Sequence, residues 1–129
     1  MVRVLAADDD PDILQLIELK MGIMGYEVVT VTDGVAALDA IRSIRLDLAI
    51  LDVSMPGHSG LEVTQAARAD DTVGPLPILL LSAFSTQEDI DRGLRAGADD
   101  YLTKPFSLRI LAERVRRLVE VPPVTSSAS

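Results

Sequence analysis

Residues 46–57 read LDLAILDVSMPG, and this stretch decides the fold. Its first six residues are nearly continuous in apolar side chains, and Asp52 follows them directly. An apolar run without alternation predicts a strand that is buried on both faces, as in a parallel sheet. The Met-Pro-Gly segment that comes next is dense in turn formers and predicts a loop. The stretch therefore predicts a central parallel strand that ends at an acidic residue.

Strands and helices are predicted to alternate along the whole chain. The predicted strands are residues 2–7, 26–31, 46–51, 78–81 and 99–103. The predicted helices begin at Pro11 and after Asp33, and then cover residues 61–69, 86–96 and 107–120. Five strand-helix repeats predict parallel pairing with right-handed crossovers. The expected fold class is α/β, a three-layer α/β/α sandwich.

The ends of the predicted helices carry recognisable signals. Asp10 suits the N-cap position of the first helix, and Pro11 suits its first helical position. Asp33 can cap the second helix in the same way. Gly25 and Gly97 are placed to end the first and fourth helices. We expect Asp10 to act as a cap rather than as a ligand.

The length and residue types of the chain limit its class. The 129 residues fit one domain, predicted over residues 1–120, with residues 121–129 as a linker or flexible tail. The absence of cysteine excludes disulfides, zinc-thiolate sites and thiol catalysis. The N-terminus lacks a secretory signal pattern, and no apolar run approaches the roughly 20 residues that span a membrane. We expect a cytoplasmic protein that makes no membrane contact.

The charge and the aromatic content disfavour two kinds of ligand. The net charge is −8, and such a surface repels a phosphate backbone on average, so direct nucleic-acid binding by this domain is not expected. Aromatic residues make up 3% of the chain, which disfavours base-stacking platforms and an aromatic sandwich around a flavin.

Polar side chains stand where the predicted strands end. The first strand ends in Asp8-Asp9, the third in Asp52 and the fourth in Ser82, and Lys104 follows the fifth. The carboxyl ends of parallel strands meet at one edge of a sheet, where such folds place their working site. If the first, third and fourth strands are central in the sheet, these side chains converge there.

The charges at this edge predict the chemistry. Three carboxylates in one crevice repel one another unless a divalent cation lies among them. An all-oxygen site with few protein ligands suits Mg²⁺. With a lysine and a hydroxyl added, a carboxylate nucleophile faces the groups that phosphoryl transfer requires.

Four segments together resemble the signature motifs of response-regulator receiver domains of two-component signalling. They are residues 8–11 (DDDP), 51–57 (LDVSMPG) with Gly60, 81–83 (LSA) and 97–106 (GADDYLTKPF). Each motif stands at the end of its expected strand, and the resemblance covers roughly residues 2–120. It implies a doubly wound, flavodoxin-like or CheY-like sheet of five parallel strands in the order 2-1-3-4-5.

The resemblance also implies roles for single residues. Asp52 would be the phospho-acceptor. It would receive the phosphoryl group from a sensor histidine kinase or a phosphotransfer protein. Mg²⁺ would be bound by the carboxylates of Asp9 and Asp52 and by the backbone carbonyl of Ser54, with Asp8 in support. A receiver of this kind is not an enzyme, beyond catalysing its own phosphorylation and slow dephosphorylation.

Three further positions would act on the phosphoryl group or respond to it. Lys104 would pair with the phosphoryl group, and Ser82 would hydrogen-bond to it and be pulled inward. Tyr101 would swing from an outward to an inward position as Ser82 moves. The Lys104–Pro105 bond would be cis, as is usual in the family. We also hypothesise that Phe84, two residues after Ser82, shields the phosphoryl group from water.

The output surface implied by the resemblance consists of the fourth helix, fifth strand and fifth helix. One large subfamily, the winged-helix transcription regulators, dimerises there through charged pairs. Asp100 and Arg114 are candidates for one such pair. Ile90 and Ile110 stand where that subfamily usually has a charged couple, so an apolar contact would replace it or the interface would differ.

Other functions stay open at this stage. A phosphatase of the haloacid-dehalogenase type needs a second Asp two residues after its nucleophile, and Ser54 is there instead. A flavodoxin-like electron carrier needs a phosphate-cradling loop and an aromatic pair, which the acidic loops do not offer. A degenerate receiver would have lost chemical positions that are all filled here. His58 is expected to be an exposed loop residue without a catalytic or metal-binding role.

Overall fold

The computed structural model describes residues 1–120 and confirms the alternation of strands and helices. The predicted linker or tail, residues 121–129, lies outside the described residues. The elements in chain order are β1 Arg3–Ala7, α1 Pro11–Ile23, β2 Glu27–Val31, α2 Gly34–Ser43, β3 Leu48–Asp52, α3 Gly60–Ala69, β4 Ile78–Ser82, α4 Gln87–Arg95, β5 Asp100–Thr103 and α5 Leu108–Glu120.

The five strands form one parallel sheet in the order β2-β1-β3-β4-β5, as the resemblance implied. The strands β1, β3 and β4 are therefore central, and their carboxyl ends lie side by side. In the register, Ala7 pairs with Leu51, Asp52 with Leu81, and Ser82 with Thr103. This alignment brings the acidic and hydroxyl side chains at the strand ends to one edge.

Two apolar cores lie on the two faces of the sheet, which makes the fold three-layered. Alternate residues of each central strand enter opposite cores, so that Leu51 joins the core under α2 and α3, while Ile50 joins the core under α1 and α5. Both side chains are fully buried. Burying one such side chain stabilises the fold by about 1.5–3 kcal/mol. The apolar runs of the sequence reflect this burial on both sides.

Side-chain caps begin the helices where the sequence predicts. An Asp10 carboxylate oxygen accepts a hydrogen bond from the Asp12 N–H at 2.9 Å, and Pro11 is the first residue of α1. Asp33 caps α2 by accepting from the N–H of Ala36 at 2.7 Å. These bonds satisfy backbone donors that the first helical turn leaves unpaired. The prediction that Asp10 is a cap is confirmed.

The predicted bounds of β3 are wrong by two residues at its start and one at its end. The strand begins at Leu48, and the carboxylate of the preceding residue, Asp47, accepts a hydrogen bond from the backbone N–H of Arg3 at 2.9 Å. The strand includes Asp52, whose backbone keeps its register with β4. None of the helices within residues 1–120 combines the length and the apolar character that crossing a membrane requires.

Candidate functional site

Asp8 and Asp52 lie next to each other at the carboxyl edge of the sheet, and both are buried. Asp8 is 0% exposed and Asp52 is 4% exposed. The Asp8 carboxylate accepts a hydrogen bond from the backbone N–H of Asp10 at 2.9 Å. The backbone N–H of Asp8 donates to the carbonyl of Val31 at 3.2 Å. Buried carboxylates require charged partners or hydrogen bonds, because water no longer solvates them.

The loop after β3 approaches the Asp52 backbone closely. A Cβ atom at position 60 would overlap the Asp52 carbonyl, so Gly60 leaves room for this approach. The N–H of Gly60 donates to the carbonyl of Val53 at 3.0 Å, and the N–H of Val53 donates to the carbonyl of Leu81 at 2.9 Å. These bonds hold the strand end that presents the Asp52 carboxylate.

Three carboxylates converge at this edge, as the sequence predicts. Asp8, Asp9 and Asp52 each offer one oxygen, and these oxygens lie within 4.8 Å of one another. Asp9 is exposed while the other two are buried. The cluster is therefore accessible from solvent on one side and enclosed on the other.

Lys104 reaches into the same cluster from the loop after β5. Its Nζ lies 2.9 Å from Oδ2 of Asp8 and 3.2 Å from Oδ1 of Asp52. The backbone N–H of Lys104 donates to the carbonyl of Ser82 at 2.8 Å, which aligns the loop with the end of β4. The Lys104–Pro105 peptide bond is cis, as expected.

The pKa values of Asp52 and Lys104 reflect this crowding. Burial raises the pKa of Asp52 to about 6, and the charge of Asp8 adds to the rise, while Lys104 and the N–H of Ser54 act against it. Burial lowers the pKa of Lys104, but its hydrogen bond to Asp8 and its attraction to Asp52 outweigh burial, so that this pKa lies above its usual value. One ammonium thus incompletely compensates three carboxylates.

The donor set fits a divalent cation of the Mg²⁺ type. All three side chains offer oxygen, two of them are buried, and the uncompensated negative charge favours a small hard cation that keeps several waters. The N–H of Ser54 donates to Oδ1 of Asp52 at 3.4 Å, which places the Ser54 backbone beside the cluster. The Ser54 side chain is exposed.

Ser82 and Tyr101 are connected through the backbone of Phe84. The N–H of Phe84 donates to the buried Ser82 hydroxyl at 2.9 Å. The Tyr101 hydroxyl donates to the Phe84 carbonyl at 2.7 Å, and the Tyr101 ring is buried at 8% exposure. Tyr101 is therefore in the inward position. The sequence draws attention to the Phe84 side chain, which is 53% exposed, whereas the link runs through the Phe84 backbone.

Other sequence candidates lie outside the cluster. His58 is exposed in the loop after β3, as expected. Asp100 and Arg114 contact each other within one chain, with Arg114 Nη1 at 3.0 Å from Oδ1 and 3.1 Å from Oδ2 of Asp100. The pair considered for a dimer contact is thus formed internally. Residue spacing alone does not distinguish these two possibilities.

Comparison with known proteins identifies the family. The family profile for the response regulator receiver domain matches residues 4–116. The transcriptional regulatory protein PrrA of Mycobacterium tuberculosis is 42% identical over 127 residues, which cover 98% of this chain and 54% of that protein. The DNA-binding response regulator MtrA of Mycolicibacterium smegmatis is 40% identical over 114 residues, covering 88% of this chain and 49% of that protein. The chain spans about half the length of these curated relatives.

Solved structures give the same result. A Francisella response regulator receiver domain matches with a TM-score of 0.88 at 36% identity, covering 93% of this chain and 98% of that chain. The receiver domain of a sensor histidine kinase from Pseudomonas aeruginosa, solved with a magnesium ion coordinated in its active site cleft, matches with a TM-score of 0.84 at 31% identity. That match covers 92% of this chain and 98% of the other.

Proposed function

The chain belongs to the response regulator receiver domain family, and from this membership we propose that Asp52 accepts a phosphoryl group from a histidine kinase or a phosphotransfer protein. The observation that carries the proposal is the position of the Asp52 carboxylate, beside two other carboxylates and 3.2 Å from the Lys104 ammonium. A buried carboxylate opposite a cation is suited to receive a phosphoryl group.

The transfer consists of one displacement. An Asp52 carboxylate oxygen attacks the phosphorus of a phosphohistidine, the new O–P bond forms, and the P–N bond breaks. The imidazole nitrogen keeps the electron pair and takes up a proton. Asp52 must be ionised to attack, and since burial raises its pKa to about 6, it is mainly ionised at neutral pH. Lys104 pairs with the phosphoryl oxygens and stabilises their charge.

We propose that Asp9, Asp52 and the backbone carbonyl of Ser54 hold Mg²⁺, with Asp8 in support. The three-carboxylate cluster and its partial exposure support this ligand set, and a related receiver domain contains magnesium in its cleft. When bound, the cation would neutralise negative charge on the cluster and on the transferred group. Asp8 would also keep Lys104 oriented, through their 2.9 Å contact.

The switch would run from Ser82 to Tyr101. Ser82 would hydrogen-bond to the phosphoryl group and move inward, and the Phe84 backbone would pass this movement to the Tyr101 hydroxyl. The responding surface would be α4, β5 and α5, where Tyr101 lies in β5. A cytoplasmic location and the lack of any activity beyond self-phosphorylation and slow dephosphorylation remain predictions.

A homodimer through α4, β5 and α5 is a further part of the proposal. Because Asp100 and Arg114 already pair within one chain, the contact would rely on other groups, including the half-buried Ile90 and Ile110. Sedimentation velocity at high protein concentration, with Mg²⁺ and beryllofluoride, is expected to show a dimer. A species that stays monomeric contradicts this part. The net charge of −8 supports the proposal that this domain does not bind DNA itself.

Incubation with acetyl phosphate and Mg²⁺ tests the proposed function. We expect one phosphoryl group per chain, labile to hydroxylamine, in the wild type and in Asp39→Asn, an exposed control on α2. Asp52→Asn should remain unlabelled. Rapid release of phosphate over many turnovers would instead identify an aspartyl hydrolase and contradict the proposal.

A further inference from the structure

Gly93 lies in the middle of α4, where the backbone does not require glycine. Its φ is not among the positive values, which occur at Gly25, Gly57, Gly74 and Gly97. A glycine in a helix interior is destabilising relative to alanine. Within α4, all of which the structure describes, Gly93 is the buried residue. Packing rather than backbone conformation therefore accounts for it.

The Tyr101 ring fills the space beside Gly93. A Cβ atom at position 93 would lie 2.8 Å from Cδ2 and 3.0 Å from Cε2 of Tyr101, and 3.0 Å from Cδ1 of Leu80. Contacts this short force one group to move. Leu80 is fully buried in the central strand β4, whereas Tyr101 belongs to the edge strand β5. Tyr101 is thus the group that can leave, by a change of side-chain rotamer.

We propose that Gly93 is a positioning residue for Tyr101. Because it has no side chain, it leaves room on α4 for the inward Tyr101 ring and thereby favours the phosphorylated arrangement of the receiver. Inward Tyr101 holds the Phe84 carbonyl, and the Phe84 N–H holds the Ser82 hydroxyl. A change that expels Tyr101 removes one end of this chain of hydrogen bonds. Binding at Asp52 and the position of Tyr101 are then coupled reciprocally. This coupling rests on the proposed function of Asp52.

Fluorescence quenching tests the position of Tyr101 without any phosphoryl group. In a Tyr26→Phe background, Tyr101 is the remaining tyrosine, and the chain has no tryptophan. Gly93→Ala is expected to increase quenching of Tyr101 by acrylamide. Gly22→Ala is the matched control, because it is also helical and a Cβ there meets nothing within 4 Å. Equal quenching in Gly93→Ala and the parent overturns the proposal.

A double-mutant cycle separates the ring contact from the contact with Leu80. Gly93→Ala is expected to lower the free energy of unfolding when Tyr101 is present. In a Tyr101→Ala background the same change should cost less or become stabilising, since the helix gains alanine and the ring is gone. An equal cost in both backgrounds would assign the strain to Leu80 and overturn the proposal.

Beryllofluoride binding in the presence of Mg²⁺ tests the coupling. Gly93→Ala is expected to bind about fivefold or more weakly than Gly22→Ala, in keeping with usual coupling energies. If the two variants bind with equal affinity although Tyr101 is outward in Gly93→Ala, the coupling between Tyr101 and Asp52 is overturned. If the parent itself fails to bind beryllofluoride, the proposed function of Asp52 fails, while quenching and the cycle still decide the role of Gly93.

Discussion

Lys104 contacts Asp52 across the carboxyl edge of the sheet, with Nζ 3.2 Å from Oδ1. The same ammonium lies 2.9 Å from Asp8, so one cation serves two buried carboxylates. This shared pairing leaves the cluster short of positive charge. The predictions on stability and on metal binding follow from that shortage.

Replacing Asp52 by asparagine should stabilise the metal-free protein at neutral pH but not at strongly acidic pH. Burial raises the folded-state pKa of Asp52 from 3.8 to about 6. The stability that the protonated carboxyl group contributes is therefore fully present below pH 3.8 and is lost as the pH rises to about 6. Asparagine does not titrate and avoids this loss. Above that window we expect a gain on the order of 1–3 kcal/mol.

Urea denaturation in EDTA across this pH range measures the effect. The gain of Asp52→Asn over the wild type should vanish towards pH 3.8. Asp39→Asn on the surface of α2 controls for the general loss of one negative charge. An Asp52→Asn protein that is less stable than the wild type above the window would contradict the expected penalty.

Mg²⁺ should stabilise the wild type through the carboxylate cluster. A ligand that binds only the folded state adds about 2.7 kcal/mol when present at about 100 times its Kd. Asp9→Asn removes the exposed carboxylate of the cluster and should abolish most of the increase in Tm. Asp39→Asn should keep it. Equal increases in the two variants would show that Mg²⁺ binds elsewhere.

Loss of Lys104 should destabilise the protein more without Mg²⁺ than with it. Lys104→Met leaves Asp8 and Asp52 buried without their cation, which costs about 3 kcal/mol. Added Mg²⁺ should restore part of that stability, because it replaces the lost positive charge. Arg109→Met serves as the control, since it removes an exposed pair with Glu113. If Lys104→Met lowers the free energy of unfolding equally in EDTA and in Mg²⁺, this result would count against a site that Lys104 and Mg²⁺ share.

The Phe84 side chain should slow hydrolysis of the phosphorylated domain. It stands two residues beyond Ser82 and is half-exposed, and on the shielding hypothesis its bulk limits the access of water to the phosphoryl group. Phe84→Ala is expected to shorten the phosphoryl half-life several-fold, while Phe84→Leu keeps most of the bulk and most of the half-life. Loss of radiolabel after removal of the donor measures this. An unchanged half-life in Phe84→Ala would show that the ring does not shield the group.

Much of the fold and of the cluster could be predicted because both follow from simple patterns. The apolar run before Asp52 requires burial on both faces, and the strand order then brings Asp8 and Lys104 to the same edge. Strand-helix alternation predicts the parallel sheet, whereas the strand order was implied by the resemblance to receiver domains.

Contacts that depend on side-chain conformation or on backbone groups were not predictable. The link from Ser82 to Tyr101 uses the N–H and carbonyl of Phe84, which every residue type offers. The pairing of Asp100 with Arg114 inside one chain depends on rotamers rather than on spacing. Gly93 did carry a signal, since a glycine inside a predicted helix indicates a packing constraint.

Mapping the phosphorylated residue tests the central claim most directly. The wild-type protein is incubated with acetyl phosphate and Mg²⁺, reduced with borohydride, which converts a phosphorylated aspartate to homoserine, and digested for peptide mass analysis. We expect homoserine at position 52 and unmodified aspartate at Asp8 and Asp9. Homoserine at another position, or none at position 52 in a protein that has taken up phosphate, would contradict the assignment of Asp52 as the phospho-acceptor.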